Sequence, residues 1–226
     1  MCYSVLVKQD LKLLESRFGA VPVRQAFSDF DKLVEIDPKK YKPMAAHARI
    51  YPNYFAPIIT GSAEGREIFP MRYRIRPAGS PEEVPAKYNM FNARLDALDS
   101  RRTWKGLFGK RHGIVVFERF FEWVADAETG KKKVISFHPR DRDLMWSPVL
   151  WDEWRAPTGD LTMRSFAIIT TDPPPEVSAM GHDRCPIFLA EAGIDAWLHP
   201  EKHSAKELKE ILASTEQTYF DWDKVA

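Results

Sequence analysis

The segment HGIVVFERFFEWV, residues 112–124, carries the clearest strand signal in the sequence. Its apolar run at residues 114–117 passes directly into a stretch rich in aromatic residues. β-Branched and aromatic side chains favour the extended conformation. The segment therefore predicts a long strand in the centre of the fold.

Glu122 lies within this apolar segment. Because successive side chains of a strand point to opposite faces, Glu122 shares a face with Phe120 and Val124, whereas Phe121 and Trp123 point the other way. A carboxylate on an apolar face costs free energy unless it is paired or functional. Glu122 is therefore a candidate site residue.

Strand and helix patterns lie on both sides of this segment. Further strands are predicted at residues 48–60, 66–77, 131–139, 144–154 and 163–172, with prolines interrupting the first two. Helices are predicted at residues 9–19, 22–38, 191–198 and 204–213. Asp10 caps the first helix and Gly19 ends it, and Pro38 ends the second. The last helix carries a capping box of Ser204 and Glu207. Helices at the ends and strands between them predict an α+β fold. We expect a single domain, residues 1–226, with a curved mixed or antiparallel sheet or barrel-like core surrounded by helices.

The composition excludes several classes of protein. The chain has 226 residues, 44% of them hydrophobic, and a net charge of +1, which predicts no global attraction to polyanions. The two cysteines, 183 positions apart, match no metal-binding spacing and no disulfide framework, and the scattered histidines suggest no metal site. No Gly-rich nucleotide-binding loop is present, so we expect neither a metal nor a cofactor. Without an apolar leader or a run long enough to cross a membrane, the protein is expected in the cytoplasm.

Cys2 directly follows Met1. A residue at a chain end is commonly exposed and unimportant. Once Met1 is removed, however, Cys2 carries a free α-amine and a thiol on adjacent carbons. These groups ordinarily have pKa values of about 8 and about 8.5. Such a 1,2-aminothiol condenses with an aldehyde to an imine and then closes to a thiazolidine, so Cys2 is a candidate nucleophile.

Three further short segments contain chemically useful residues. They are FNARLDA (91–97), FFEWV (120–124) and GHDRCPI (181–187). Taken singly, each has an ordinary structural explanation, such as a turn residue, a surface ion pair or a loop cap. Cys185, beside Pro186, is expected to be a packed thiol without a chemical role.

Together these pieces resemble the SRAP (SOS response-associated peptidase) family. Its members have Cys at position 2, an Asn-Ala-Arg segment, a Phe-Glu-Trp strand and a His-Asp-Arg-x-Pro loop, in this order. Here the pieces are Cys2, residues 92–94, residues 121–123 and residues 182–186, and the preceding Thr170-Thr171 also fits. The resemblance spans nearly the whole chain.

The resemblance implies covalent capture of abasic sites in single-stranded DNA by a lyase-like crosslinking enzyme of the DNA damage response. An abasic deoxyribose is a masked aldehyde, the electrophile that a 1,2-aminothiol requires. The residues expected to act are Cys2 as nucleophile, Glu122 as acid and then base, His182 as proton relay, and Asn92 as hydrogen-bond partner of the amine or sugar. Ring closure would remove the iminium that leads to strand cleavage.

DNA capture also requires phosphate contacts and stacking platforms. From residue 72 to residue 111, ten Lys or Arg residues stand against four Asp or Glu residues. A solvated charged face would explain this excess equally well. The residues expected to contact phosphates are Arg94 and Arg184, which lie inside the matched motifs. Arg72, Arg74 and Arg76, which would share one face of a strand, are further candidates. Trp123 is expected to stack on a base, with Tyr73 or Trp104 as other stacking candidates. We expect a monomer that binds single-stranded DNA containing abasic sites and no membrane, with replication-fork proteins as further candidate partners.

Two alternative functions stay open. A Cys, His and Glu set is also compatible with a thiol peptidase, whose minimal activity is autoprocessing, the removal of Met1. If Cys2 has lost its role, the chain is a non-catalytic single-stranded DNA-binding module. Departures from the family pattern prompt this alternative: Tyr3-Ser4 replace the usual Gly-Arg, residues 49–53 only partly keep an Arg-Tyr-Asn-x-Ala-Pro segment, and residues 71–77 replace Trp-Gly-Leu-x-Pro.

Overall fold

Twelve strands and six α-helices lie in the part of the chain that the computed structural model describes, residues 3–43, 47–125, 129–159, 161–215 and 218–225. The strands are β1 (Ser4–Val7), β2 (Ala20–Pro22), β3 (Arg49–Ile50), β4 (Phe55–Ser62), β5 (Gly65–Tyr73), β6 (Asn92–Arg94), β7 (His112–Ala125), β8 (Lys132–Pro139), β9 (Met145–Arg155), β10 (Thr162–Thr171), β11 (Cys185–Pro186) and β12 (Phe220–Lys224). The helices are α1 (Leu11–Phe18), α2 (Arg24–Ile36), α3 (Arg102–Lys105), α4 (Pro175–Ser178), α5 (Ile194–Leu198) and α6 (Ala205–Ala213). Short 3-10 helices lie at Leu95–Ala97, Glu191–Gly193 and Pro200–Lys202.

Five of these strands close into a barrel. β10 pairs with β5 in parallel, and the antiparallel pairs β5–β4, β4–β7, β7–β9 and β9–β10 complete the ring. Closure satisfies the backbone groups that an open sheet would leave at its edges. The structure therefore confirms the predicted α+β class with a barrel-like core.

β7 is long enough to serve two partners in succession. Its first half pairs with β9 from His112 to Phe117, and its second half pairs with β8 from Phe120 to Ala125. β1 lies along the other edge of the second half, with Ser4 opposite Phe121. The second half of β7 thus extends beyond the barrel ring, and it carries Glu122.

Two large hydrophobic clusters lie on opposite faces of the sheet. Ile58 and Ile59 are consecutive on β4 and belong to different clusters, as strand alternation requires. The cluster around Ile59 contains the fully buried Trp104 and Trp197, and α1, α5 and α6 pack there. None of the described helices has the length and apolar character needed to cross a lipid bilayer.

The local sequence signals confirm several predicted boundaries. Asp10 accepts a hydrogen bond from the Leu13 backbone at the start of α1, and Gly19 ends that helix with φ 60°. The capping box of Ser204 and Glu207 is present at the start of α6. The predicted strand at 112–124 corresponds to β7 within one residue.

Two predicted strands have wrong boundaries. The strand predicted at 48–60 is divided into β3 and β4 by a turn at residues 51–54. The strand predicted at 66–77 ends at Tyr73, because the next residue, Arg74, has φ 132° and leaves the extended conformation. Arg74 and Arg76 therefore lie outside the strand on which they were expected to share a face with Arg72.

Candidate functional site

Glu122 is buried on the inner face of β7. Its side chain is 1% exposed, between the buried Phe120 and Val124, whereas Trp123 on the opposite face is 51% exposed. The alternation predicted for this strand is therefore confirmed. The strand places a carboxylate in apolar surroundings, where an ionised group is costly without a partner.

His182 supplies that partner from the loop between α4 and β11. Its Nε2 lies 2.9 Å from Oε2 of Glu122, and its Nδ1 lies 2.9 Å from the carbonyl oxygen of Arg184. The backbone N–H of Arg184 also lies 3.3 Å from Nδ1, so the loop offers this nitrogen both an acceptor and a donor. The short Nε2–Oε2 contact is that of a hydrogen bond, with one proton between the imidazole and the carboxyl group.

Burial and the imidazole act on Glu122 in opposite directions. Burial raises the pKa of Glu122 above its ordinary value of 4.5, and the hydrogen bond with His182 partly offsets this increase. A carboxyl group with a raised pKa retains its proton closer to neutral pH. Glu122 can therefore serve as an acid under conditions in which an exposed glutamate is fully ionised.

β10 brings two of the sequence motifs to this region. Thr170 near its end pairs with Arg94 of β6 along one edge and with Pro186 of β11 along the other. Asn92, at the start of β6, is 4% exposed and accepts a hydrogen bond from the hydroxyl of Tyr73 at 3.3 Å. The Asn-Ala-Arg segment and the His-Asp-Arg-x-Pro loop thus lie on either side of the end of β10. The contact between His182 and Glu122 connects the His-Asp-Arg-x-Pro loop to β7.

Cys2 lies outside the described residues. The first strand begins two residues later, with Ser4 opposite Phe121. β1 therefore starts beside the part of β7 that carries Glu122.

The two arginines of the matched motifs lie near the end of β10. The Arg94 side chain is 53% exposed and contacts Asp96 through Nη2 at 2.6 Å. The Arg184 side chain is 9% exposed, and its Nη1 lies 3.3 Å from Oδ1 of the highly exposed Asp172. Arg94 is the more accessible of the two to a DNA phosphate.

Arg72, Arg74 and Arg76 do not form the exposed stripe that the sequence suggested. Arg72 and Arg76 are 2% and 4% exposed, and both contact the carboxylate of Glu83, Arg72 through two hydrogen bonds of 2.7 and 3.0 Å. Arg74 donates to the carbonyl oxygen of Val84. The three side chains turn towards the loop that connects β5 to β6, so this expectation is corrected: burial and pairing keep Arg72 and Arg76 off the exposed surface.

Arg74 occupies a backbone conformation that favours glycine, with φ 132°. In the family pattern Trp-Gly-Leu-x-Pro, the glycine falls on Arg74 when the proline is matched to Pro77. The departure at residues 71–77 therefore places an arginine where this backbone favours glycine. What changes is the side chain, which ties down the following loop.

The stacking candidates also separate by burial. Tyr73 and Trp104 are fully buried, whereas Trp123 presents its indole to solvent. Cys185 is buried, as expected for a packed thiol, and burial raises the pKa of its thiol well above the ordinary value. In the described ranges, no three His, Cys, Asp or Glu side chains are grouped as a metal site would require.

Two residues that were not predicted from the sequence to act, Arg49 and Tyr3, adjoin this region. The guanidinium of Arg49 lies 3.7 Å from the ring centre of Phe121, and its Nε donates to the Ser4 hydroxyl at 3.1 Å. Tyr3, 43% exposed, contacts the ring of Tyr51. The sequence signal was the short segment RIYPNY (49–54), in which a cation and two tyrosines surround a Pro-Asn turn.

Comparison with known proteins places this geometry in a family context. The model of the family described as SOS response associated peptidase (SRAP) matches residues 1–226. Abasic site processing protein HMCES from Pongo abelii is 28% identical over 183 residues, which cover 69% of this chain and 51% of HMCES. The chain thus spans about half the length of that relative. Abasic site processing protein YoqW from Bacillus subtilis (strain 168) is 24% identical over 191 residues, covering 82% of this chain and 83% of YoqW.

Two crystal structures share the fold. A protein from Bordetella bronchiseptica matches with a TM-score of 0.74 and 19% identity, covering 100% of both chains. A protein from Bacteroides thetaiotaomicron matches with a TM-score of 0.72 and 20% identity, covering 100% of this chain and 92% of that one. At these identities the likeness shows the fold alone.

Proposed function

The chain belongs to the SOS response-associated peptidase (SRAP) family, and we propose that it captures abasic sites in single-stranded DNA through a covalent bond to Cys2. The observation that carries the proposal is the buried Glu122–His182 pair next to the strand that begins at Ser4. Cys2 precedes Ser4 by two positions, which a fully extended chain spans in at most about 7 Å. Ser4 itself lies opposite Phe121, the residue before Glu122 on β7, and the proposal takes Cys2 to act beside Glu122.

The nucleophile is the free amine of Cys2, which becomes available when Met1 is removed. The amine nitrogen adds to the C1′ aldehyde of the opened sugar, and loss of one water gives an imine. The Cys2 thiolate then adds to the imine carbon, and the nitrogen takes up a proton. The product is a thiazolidine, which contains one water less than the two reactants together.

Glu122 and His182 move the protons that these steps require. Sugar opening needs a proton at the ring oxygen, and loss of water from the amine adduct needs an acid. Glu122 can donate in both steps because burial raises its pKa. His182, which contacts the carboxyl group of Glu122, then returns a proton to it. The thiazolidine contains no iminium, so the β-elimination that would cut the DNA strand is suppressed.

Other residues of the site hold the DNA. Asn92 presents an amide to the amine or the sugar, and its orientation is fixed by Tyr73. Arg94 and Arg184 contact phosphates near the end of β10, and the exposed Trp123 offers a surface for stacking. We exclude Arg72, Arg74 and Arg76 from this interface and assign them to holding the loop between β5 and β6.

Intact-mass measurement tests the proposal. Purified protein is incubated with a single-stranded oligonucleotide that contains one abasic site. Wild-type protein should lack Met1 and gain the mass of the oligonucleotide less one water, in a heat-stable adduct. Cys2→Ala should form no stable adduct, whereas Cys185→Ala, which changes the buried second cysteine, should form it. A stable adduct with Cys2→Ala would sink the aminothiol mechanism.

Further measurements distinguish the alternative functions. Retention of Met1 in Glu122→Gln, together with its loss in wild type, would favour autoprocessing, and turnover of an unrelated peptide would favour a general peptidase. Binding of DNA without any adduct would favour a non-catalytic module. Four expectations stay predictions: a single domain over residues 1–226, a cytoplasmic location, a monomeric state and contact with replication-fork proteins.

A further inference from the structure

The segment YPNY, residues 51–54, forms a tight turn that holds two partly exposed tyrosines, of which Tyr54 also packs against the hydrophobic cluster around Ile58. The backbone N–H of Tyr54 donates to the carbonyl oxygen of Tyr51 at 3.0 Å. Pro52 occupies the second position and Asn53, with φ 80°, the third, which is the residue pattern of a type II turn. Proline restricts the backbone, so the two tyrosines are held in place before any ligand binds.

These tyrosines continue a row of rings that begins beside the candidate site. Phe91, the residue before Asn92, lies 6.4 Å from Tyr3 between ring centres. Tyr3 lies 5.8 Å from Tyr51, and Tyr51 lies 6.0 Å from Tyr54. The row thus leads from the Asn-Ala-Arg segment across the surface to the turn.

Two cations accompany the row. The guanidinium of Arg49 lies 5.2 Å from the ring centre of Tyr51, and Nζ of Lys42 lies 4.9 Å from that of Tyr54. Their described contacts are aromatic rings and, for Arg49, the Ser4 hydroxyl. Both positive charges are therefore available to an anionic ligand. We call Tyr3, Lys42, Arg49, Tyr51 and Tyr54 the tyrosine surface.

Rings next to cations match the chemistry of a single nucleic-acid strand. Bases stack on aromatic side chains, and phosphates bind to neighbouring Lys and Arg, without any requirement for sequence. We infer that the tyrosine surface binds the single-stranded segment on one side of the captured abasic nucleotide. This inference rests on the proposed function and assigns one DNA flank to Tyr51, Tyr54 and Lys42. Tyr3, which stands where family members usually have glycine, would then be part of the DNA-binding surface.

Fluorescence anisotropy with intact single-stranded DNA tests the inference without requiring an abasic site. Tyr51→Ala and Tyr54→Ala should each weaken binding about fivefold or more, as expected for the loss of one stacked base. Tyr54→Phe, which keeps the ring, should bind like wild type. Tyr219→Ala, which removes an exposed tyrosine of the C-terminal segment, should also bind like wild type. Lys42→Ala should reduce the slope of log affinity against log salt by about 0.7, the value for one phosphate contact on a single strand.

A truncation series assigns the flank. Abasic oligonucleotides that extend only 5′ or only 3′ of the abasic site are compared, and Tyr51→Ala should weaken binding to one series and not to the other. Equal effects on both series would overturn the assignment to one side. Wild-type affinity and salt slope in Tyr51→Ala and Lys42→Ala would overturn the inference entirely.

The proposed function has a separate readout. Wild-type protein should form the Cys2 adduct, and Tyr51→Ala should require a higher oligonucleotide concentration for half-maximal adduct, because the tyrosine surface binds DNA and does not react. Absence of any adduct in wild type, with binding still weakened by Tyr51→Ala, would reject covalent capture and support the tyrosine surface.

Discussion

Nε2 of His182 lies 2.9 Å from Oε2 of Glu122, although the two residues come from a loop and a strand 60 positions apart in the sequence. The other imidazole nitrogen is directed at the Arg184 carbonyl oxygen, which fixes which nitrogen faces the carboxylate. The pair therefore shares one proton in a buried setting. That arrangement gives the proton transfers of the proposed mechanism a physical basis and makes both residues testable.

Glu122→Gln should slow adduct formation by about 10²- to 10⁴-fold, the usual contribution of a positioned acid or base. The amide keeps the shape and hydrogen bonding of the side chain but has no transferable proton. By microscopic reversibility, release of the adduct should slow as well, so the final yield changes much less than either rate. Single-turnover crosslinking followed by a chase with excess abasic competitor measures both rates. Wild-type formation and release across about pH 6–8 would show that Glu122 is a buried structural carboxylate.

His182→Ala should slow formation and also change its pH dependence. The imidazole hydrogen bond lowers the pKa of Glu122 against the effect of burial, so its loss lets that pKa rise further. The limb of the rate profile on which Glu122 loses its proton should therefore move to higher pH. A pH series of single-turnover rates for wild type and His182→Ala measures the shift. A variant that is slower but whose profile is not displaced would reduce His182 to a positioning role.

Arg94→Ala should weaken binding to intact and abasic single-stranded DNA alike, because phosphate contacts carry no sequence information. Its guanidinium is half exposed and has only the exposed Asp96 as ion-pair partner in the described structure. The salt slope should become shallower by about 0.7. Arg140→Ala is a matched control, since Arg140 is similarly exposed, pairs with Asp221 and follows β8. Equal effects of the two variants on affinity and slope would indicate loss of general charge rather than a contact at Arg94.

The strands that form the barrel could be predicted from sequence because their signals are local. β7 joins the apolar run at residues 114–117 to a stretch rich in aromatic residues, and α6 carries its cap in four consecutive residues. The short strands β6 and β11 have no such signal. Each exists because the end of β10 offers it a free edge. This information is spread over distant parts of the chain.

The same distinction applies to the candidate site. Motif order selected Asn92, Glu122 and His182, and alternation correctly predicted the burial of Glu122. The fate of the three arginines after β5 was not predictable, because it depends on where Glu83 folds back and on the positive φ at Arg74. A local count of charges does not distinguish a guanidinium that faces solvent from one paired inside a loop.

Glu83→Ala should destabilise the protein by about 3 kcal/mol, the low end for removing one partner of a buried ion pair, because Glu83 is about one-third exposed. Burial acts to raise the pKa of Glu83, but the guanidinium groups of Arg72 and Arg76 outweigh burial and hold that pKa below its ordinary value. Without Glu83, the buried guanidinium of Arg72 would lack its carboxylate. Urea unfolding measures the change, and Glu82→Ala, at the exposed neighbouring position, should stay within about 0.5 kcal/mol of wild type. Equal stabilities of the two variants would contradict this role of Glu83.

His112, at the start of β7, should make stability depend on pH. Its ring stacks on Trp197 with centres 3.7 Å apart, Nδ1 lies 3.0 Å from the Trp197 carbonyl oxygen, and Nε2 accepts from the Gly109 N–H. Acceptance at Nε2 requires the neutral ring, whereas the Nδ1 contact with the Trp197 carbonyl acts to raise the pKa. Burial outweighs that contact and lowers the pKa of His112 from 6.5 to about 3. The unfolded chain then binds a proton that the folded chain excludes. The contribution of neutral His112 to the free energy of unfolding is complete above pH 6.5. It is lost at about 1.4 kcal/mol per pH unit as the pH falls from 6.5 towards 3.

His112→Phe separates this effect from the other acid-sensitive groups. The variant keeps a stacked ring but leaves the Gly109 N–H and the Trp197 carbonyl without the imidazole, so it should be less stable than wild type at pH 7. The difference in free energy of unfolding between wild type and the variant should shrink by about 2 kcal/mol between pH 6.5 and pH 4.5, because only wild type contains a histidine that must stay neutral in the folded state. Urea unfolding at constant ionic strength measures the difference curve, and His47→Gln, at an exposed histidine, should run parallel to wild type. A deficit of His112→Phe that stays constant over this range would show that His112 does not titrate between the folded and unfolded states as its burial requires.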